Sequence, residues 1–281
     1  MFGIAILRLR AEKDAVLPRV HGRLMHGAFF SLLRTVDPAL SEAVHSNMNI
    51  KPFTVSDLST WDEADGRGRG RRGGRGGERG PVRRVAAGTQ FAWRVTALTD
   101  PVLQAVGAFP VGGVCQAGEL PLCVEEIIMD SRRQAGTGVI DPETLMPRES
   151  DRDLQRITFH FRSPVSFRRD KDDLPIPAPG FIFASLSDKW QGAGLAPLAG
   201  KAILQEDAAR LLPMAWEGRT VRHFLSADRG VLAFRGSFTF GLRDVPESAR
   251  GRLAALTRFA PCAGVGRLCA QGMGQTEVEL M

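Results

Sequence analysis

The hydrophobic period of this 281-residue chain switches between two and 3.6 in the order strand, helix, strand, strand, helix, strand. That order restricts the fold more than any single motif. Residues 4–10 alternate apolar and polar, as a half-buried strand does. Met25, Phe29, Leu32, Leu33 and Val36 then recur at helical spacing, so residues 19–36 read as an amphipathic helix. Asp37-Pro38 ends it, and Pro38 opens a short second helix over 38–44. Residues 51–58 read as extended, and residues 90–98 alternate again with strand-favouring Phe91, Trp93 and Val95. These two strands make a hairpin whose tip carries an insertion. Thr99-Asp100-Pro101 signals helix entry before residues 102–108, and residues 120–128 close the unit as a strand. The result is a ferredoxin-like β-α-β-β-α-β order, also the frame of RNA-recognition (RRM) domains, without their aromatic RNP signature.

The second half repeats the plan. Residues 154–161 alternate, residues 181–190 read as a helix after a proline-rich turn, and residues 220–225 with 231–242 as a hairpin. A helix over 252–259 is expected to break at Pro261, and residues 276–280 end the chain as a strand. The predicted class is α+β: two tandem ferredoxin-like, RRM-like domains with a C-terminal glycine-rich loop. The expected boundaries are 1–135, including a disordered Gly/Arg loop at 65–84, a linker at 136–153, and 154–281.

Between the last helix and last strand lie Gly264-Val265-Gly266 and Gly272-Met273-Gly274, with Arg267 among the five residues between them. Glycine permits positive φ and close backbone approach, so such a hook can present N–H donors and a cation to phosphates. A dinucleotide fingerprint would need Gly or Ala at Cys269 and an acidic residue about 20 positions later; a P-loop would need a lysine where Gln275 stands. ATP and NAD are thereby excluded as cofactors. A phosphate-holding loop and a plain glycine-rich turn both remain open on these residues alone.

Cys115, Cys123, Cys262 and Cys269 show no Cys-x-x-Cys spacing, so no metal site is expected and a reduced, cytoplasmic protein is the simplest expectation. No stretch approaches a membrane span, so no membrane partner is expected. The net charge is +6, but residues 66–80 alone hold six arginines and one glutamate, so bulk charge says little about the remainder. That segment resembles RGG tracts that bind RNA, and reads equally as a solvated low-complexity insertion.

There are five histidines and no tyrosine. His160 and His223 fall within alternating strands and read as structural, whereas His21 stands at the entry of the first helix with an exposed role open to it. His45 ends the short helix six residues before Lys51, so an imidazole and an ammonium can meet across one loop.

His26-Gly27-Ala28-Phe29, Asp37-Pro38 through His45, Lys51-Pro52-Phe53-Thr54 with Ser56, Trp93-Arg94-Val95-Thr96, Ser163-Pro164-Val165-Ser166-Phe167 and the hook occur in an order and spacing with a known counterpart. The chain resembles the CRISPR-associated repeat-processing endoribonucleases of the RAMP superfamily. The resemblance implies metal-independent, cofactor-free cleavage of precursor CRISPR RNA by 2′-hydroxyl attack, leaving a 2′,3′-cyclic phosphate and a 5′-hydroxyl. It implies repeat RNA and mature crRNA as partners, with other effector-complex subunits as further candidates. By the same resemblance His45 serves proton transfer and Lys51 charge stabilisation, while Gly264, Gly266, Arg267, Gly272 and Gly274, with Arg168 and Arg169, hold RNA. Members that add a tyrosine carry it on the first helix, where this chain has Phe30. His26, one turn earlier on the same face, is the candidate replacement. The alternative reading is a non-catalytic repeat-RNA-binding or structural subunit of an effector complex, which the missing tyrosine favours.

Overall fold

Arg8 and Arg10 face away from the core while Leu7, Leu9 and Ala11 are fully buried, so the alternation read in the sequence becomes a two-faced strand. The computed structural model describes residues 1–46, 50–61, 82–225 and 229–281. They form two compact units, one of Met1–Ile140 with Ala270–Gly272, the other of Asp141–Cys269 with Met273–Met281.

The first unit runs β1 (Phe2–Ala11), β2 (Ala15–Pro18), α1 (Gly22–Val36), α2 (Pro38–Ser46), β3 (Phe53–Val55), β4 (Ser59–Thr60), β5 (Val82–Val85), β6 (Gln90–Ala97), α3 (Asp100–Gly107), β7 (Val114–Ala117), β8 (Leu120–Ile128) and β9 (Gly138–Ile140). The main sheet has the order β3-β6-β1-β8-β7, and its pairings are antiparallel. Without the β7 edge this is the ferredoxin-like order, with the last strand of the motif beside the first. Met25, Phe29 and Leu33 of α1 and Val102 and Val106 of α3 share one core with Leu7, Leu9, Phe91, Trp93 and Val95. On the opposite face Arg8 and Arg10 pair with Glu125 and Glu126.

Most of the loop expected at 65–84 lies outside the described residues. Its end needs correction: Val82–Val85 pairs antiparallel with Ala15–Pro18 as a two-stranded ribbon. Arg83, whose guanidinium lies over the Phe91 ring at 4.9 Å, helps hold the ribbon to the sheet. α1 begins at Gly22 rather than residue 19, because residues 15–18 are extended in this ribbon.

The second unit continues with β10 (Arg156–Val165), β11 (Phe167–Arg169), β12 (Asp172–Leu174), α4 (Pro179–Gly192), α5 (Lys201–Ala209), β13 (Leu212–Phe224), β14 (Gly230–Gly241), α6 (Glu247–Ala263) and β15 (Thr276–Leu280). Its sheet order, β13-β14-β10-β15, is again ferredoxin-like. Phe159 packs edge-on to Phe183 of α4 at 6.0 Å, and Trp190 of α4 edge-on to Phe259 of α6 at 5.4 Å, so both helices lie on one core.

Pro261 does not break α6, contrary to expectation. The helix runs two residues further and ends where Gly264 turns to φ 66°. Burial of Cys262 and Ala263 supports that last turn despite the missing N–H. Within residues 136–153, β9 pairs with Phe2–Ile4, and a 3-10 turn at Glu149–Asp153 is tied to α6. The tie is Arg258, which donates to both Asp151 carboxylate oxygens and to the carbonyls of Leu145 and Met146. Among the described residues, no helix is long and apolar enough to cross a membrane.

Candidate active site and nucleic-acid interface

In the first unit, α1 presents His26 and Phe30 one turn apart because residues four apart share a helix face. α2 folds back along α1 and ends at His45 and Ser46. Phe30 is buried, and its ring stands T-shaped between two imidazoles, 5.0 Å from His26 and 5.3 Å from His45. Phe53, at the start of β3, stacks on His26 at 5.6 Å. The expected candidates His26, Phe30 and His45 therefore converge.

Lys51 joins them in a different manner from the one expected. Its Nζ donates to the carbonyls of Val44 at 2.8 Å and His45 at 2.7 Å, so it meets the His45 backbone at the end of α2. A cation there complements the negative end of the helix dipole. Burial lowers the Lys51 pKa from its ordinary value.

His26 is half-buried, and its Nδ1 lies 2.8 Å from the Ala270 carbonyl oxygen. A carbonyl only accepts, so Nδ1 carries the hydrogen and the neutral ring keeps its lone pair on Nε2. Burial pushes the His26 pKa below the usual imidazole value; the Ala270 bond opposes this, and the charges of Lys51 and His45 reinforce it. Burial and the Ala270 contact thus favour the neutral ring of His26, whereas the His45 side chain is exposed to water.

The other histidines have structural partners or buried positions. His21, for which an exposed role was open, is only 3% exposed. Its Nδ1 bonds Pro18 O and its Nε2 accepts from Leu58 N at 2.6 Å. His160 pairs with Glu279 at 3.2 Å, and His223 is buried in β13.

The hook differs from its expected use. The amides of Gly264, Val265, Gly266, Arg267 and Gly274 donate to Ala260 O, Gly274 O, Ser185 Oγ, Ser166 O and Pro164 O. A route to phosphate through these amides is therefore corrected: their hydrogens are committed within the unit. The glycines are needed for packing. A Cβ on Gly266 would lie 2.4 Å from Ser166 O, and one on Gly274 2.0 Å from Val265 O, both at positive φ.

Lys189 of α4, which the sequence reading passed over, donates to Gly264 O at 2.8 Å, Gly266 O at 2.9 Å and Cys269 Sγ at 3.1 Å. Arg267 pairs with Asp173. Arg168 and Arg169 are exposed on β11, opposite Asp173 and Asp172 of β12. Gly272 belongs with the first unit, where it packs against Gly22. Neither Gly22 nor Lys189 had a local signal, since each is defined by partners far along the chain.

Among the described residues, no three His, Cys, Asp or Glu side chains converge as a metal site. Residues 159–276 match the family CRISPR-associated endoribonuclease Cas6, and residues 4–108 match the CRISPR Cas6 N-terminal domain. No curated protein matches the chain. Among solved structures, the Thermus thermophilus Cas6 TTHB231 in a product complex is 26% identical with a TM-score of 0.75, covering 99% of this chain and 100% of that one. The Cas6 TTHA0078 product complex, 24% identical over the same shares at a TM-score of 0.70, has the same fold. So does a RAMP protein described as binding different RNA substrates, 13% identical at a TM-score of 0.60 over 99% of both chains.

Proposed function

The chain belongs to the Cas6 family of CRISPR-associated endoribonucleases, and from that premise we propose that it cuts precursor CRISPR RNA at each repeat without using a metal. The observation that carries this reading is the convergence of His26 and His45 on Phe30, with the Lys51 ammonium at the His45 carbonyl. A ribose 2′-hydroxyl loses its proton to Nε2 of His26 and its oxygen forms a bond to the adjacent phosphorus. The bond from phosphorus to the 5′-oxygen breaks, and that oxygen takes a proton from the His45 imidazolium. The products are a 2′,3′-cyclic phosphate and a 5′-hydroxyl, and no oxidant or reductant is needed. Lys51 lies close enough to act electrostatically on His26, and its ammonium offsets the charge gathering on the phosphorane oxygens.

RNA binding is carried over from the complexes of the relatives. On this chain the cations that suit phosphate are Arg168 and Arg169, which stand opposite Asp173 and Asp172 in the β11–β12 register, and Arg267, whose pairing with Asp173 phosphate must displace. The hook glycines Gly264, Gly266, Gly272 and Gly274 shape the loop that carries Arg267.

The decisive experiment incubates the purified protein with the repeat RNA of its own locus in EDTA. Cutting at one position, with a cyclic-phosphate end, is the expected outcome. Tight binding without cutting would instead make the chain a repeat-RNA-binding or structural subunit, the reading that Phe30 in place of tyrosine favours. Salt-sensitive binding to any RNA, without cutting, would reduce it to a general RNA binder.

A further inference from the structure

The three residues Ala270–Gly272 sit on α1 through a glycine-to-glycine seat. A Cβ on Gly22 would lie 2.1 Å from Gln271 O and 2.8 Å from Gly272 Cα. Gly272 itself adopts φ 91°, and a Cβ there would lie 3.0 Å from Gly22 Cα. The seat is steric: a methyl on Gly22 cannot be placed without moving the turn, and one on Gly272 is tight against Gly22 and strained at its positive φ. Gly22 is in turn fixed by His21, whose backbone N–H donates to Asp57 Oδ1 at 2.8 Å and whose ring accepts from Leu58 N.

That seat brings one particular atom to the candidate site. Ala270 O reaches His26 Nδ1, while Phe53 holds the face of the imidazole and Phe30 its flank. Three neighbours therefore fix the ring's rotamer, and one fixes its tautomer. The distinction matters because a histidine in water favours the form with hydrogen on Nε2, which has no lone pair there. A base that acts through Nε2 needs the opposite form, and a carbonyl acceptor at Nδ1 supplies it.

We propose that the Ala270–Gly272 turn, seated on Gly22, is the positioning element for the reaction: the Ala270 carbonyl locks His26 in the Nδ1–H form, so that Nε2 stands ready for the 2′-hydroxyl proton. This rests on the reading of His26 as the proton acceptor. It gives the second glycine pair a task apart from RNA binding, since Gly272 serves the imidazole.

The test uses the full-length protein labelled with 15N-histidine. Long-range 1H–15N spectra report which ring nitrogen carries the hydrogen, and His26→Ala assigns the signal. The expected result is Nδ1–H in the wild type. In Gly22→Ala the signal moves toward Nε2–H and single-turnover cleavage falls at least about tenfold, while RNA affinity stays within about twofold. Gly272→Ala is measured in parallel, so that a folding failure of one variant leaves the other to decide. Gly27→Ala, on the same helix with nothing within 4 Å of the added methyl, should leave tautomer and rate unchanged.

An Nε2–H signal in wild-type protein overturns the proposal. So does a seat variant that loses cleavage with the Nδ1–H signal intact, or one that shifts the signal and cuts normally. If His26→Ala itself cuts at the wild-type rate, the assignment of His26 as proton acceptor fails, and the positioning role fails with it. An inactive His26→Ala beside a wild-type Nε2–H signal sinks the positioning role alone.

Discussion

Phe30 meets His45 edge to face, with ring centroids 5.3 Å apart, at the place where the resemblance puts a tyrosine. The same ring meets His26 at 5.0 Å, so it touches both imidazoles. General acid–base groups contribute about 10²–10⁴ in rate. His26→Ala and His45→Ala should each reduce single-turnover cleavage of repeat RNA within that range, with affinity little changed. Adding Phe30→Tyr to His26→Ala should recover about tenfold, because the phenol restores a proton-exchanging group. No recovery would show that Phe30 is only a spacer.

The lowered pKa of His26 fixes the sign of a pH effect. The acceptor must be neutral, and an ordinary imidazole is half-protonated near about 6.5. Burial moves that midpoint down, so the acid limb of kcat/KM should fall below about 6.5, with activity persisting where an exposed histidine would be mostly charged. Between the folded and unfolded pKa values the folded state binds fewer protons, so His26 stabilises the fold above the unfolded value and that contribution is lost as pH falls through the folded one. Phe53→Ala, which removes the stacked ring, should move the limb toward ordinary histidine. A pH–rate profile on both proteins checks this.

Lys51 has a helix-capping contact that separates two effects of its removal. Losing the cation at the end of α2 should cost about 0.3–1 kcal/mol of stability. Losing charge compensation at the phosphorane should cost about 10²-fold or more in cleavage. Lys51→Ala should show both, by thermal unfolding and single-turnover kinetics, and cleavage unchanged beside reduced stability would leave Lys51 a cap alone.

The hook glycines and Gly27 should respond in opposite directions to the same substitution. Gly266→Ala and Gly274→Ala force a methyl to within 2.4 Å and 2.0 Å of backbone oxygens at positive φ, and each should cost about 1–3 kcal/mol or more. Gly27, inside α1 with open space around it, should gain about 0.5–1 kcal/mol as alanine. Denaturant midpoints on the three variants provide the comparison.

Regular periodicity explains which parts of the molecule were legible in the sequence. β1, with its buried Leu7 and Leu9, and α1, with Met25, Phe29 and Leu33 on one face, follow from burial on one side of an element. The first seven residues of β13, Leu212–Gly218, are all exposed, so no alternation announced them. α5 buries only Leu204, Asp207 and Ala208, too narrow a stripe to stand out. In the candidate site, His45 and Lys51 were legible because they lie six residues apart, and His26 through the resemblance, one turn before Phe30. The His26 partner Ala270 is 244 residues away and acts through a backbone oxygen, which no residue type encodes. The sequence left the hook open between a phosphate-holding loop and a plain turn for a related reason. Glycine spacing marks where a backbone can bend, while only the packed structure shows where its hydrogens already point.

The ammonium of Lys189 has a consequence for anyone mapping the RNA path by removing positive charges. It holds Gly264 O, Gly266 O and Cys269 Sγ, so Lys189→Ala should weaken RNA binding by loosening the loop, in a way that equilibrium affinity alone would score as a lost phosphate contact. The salt dependence tells the two apart. Neutralising Arg168 or Arg169 should flatten the slope of log affinity against log salt by about 0.7–0.9 per contact, whereas Lys189→Ala should lower the line and leave its slope unchanged. A charge scan of this protein therefore yields a footprint only when every variant is titrated across ionic strength, because Lys189 is predicted to change affinity without meeting the RNA.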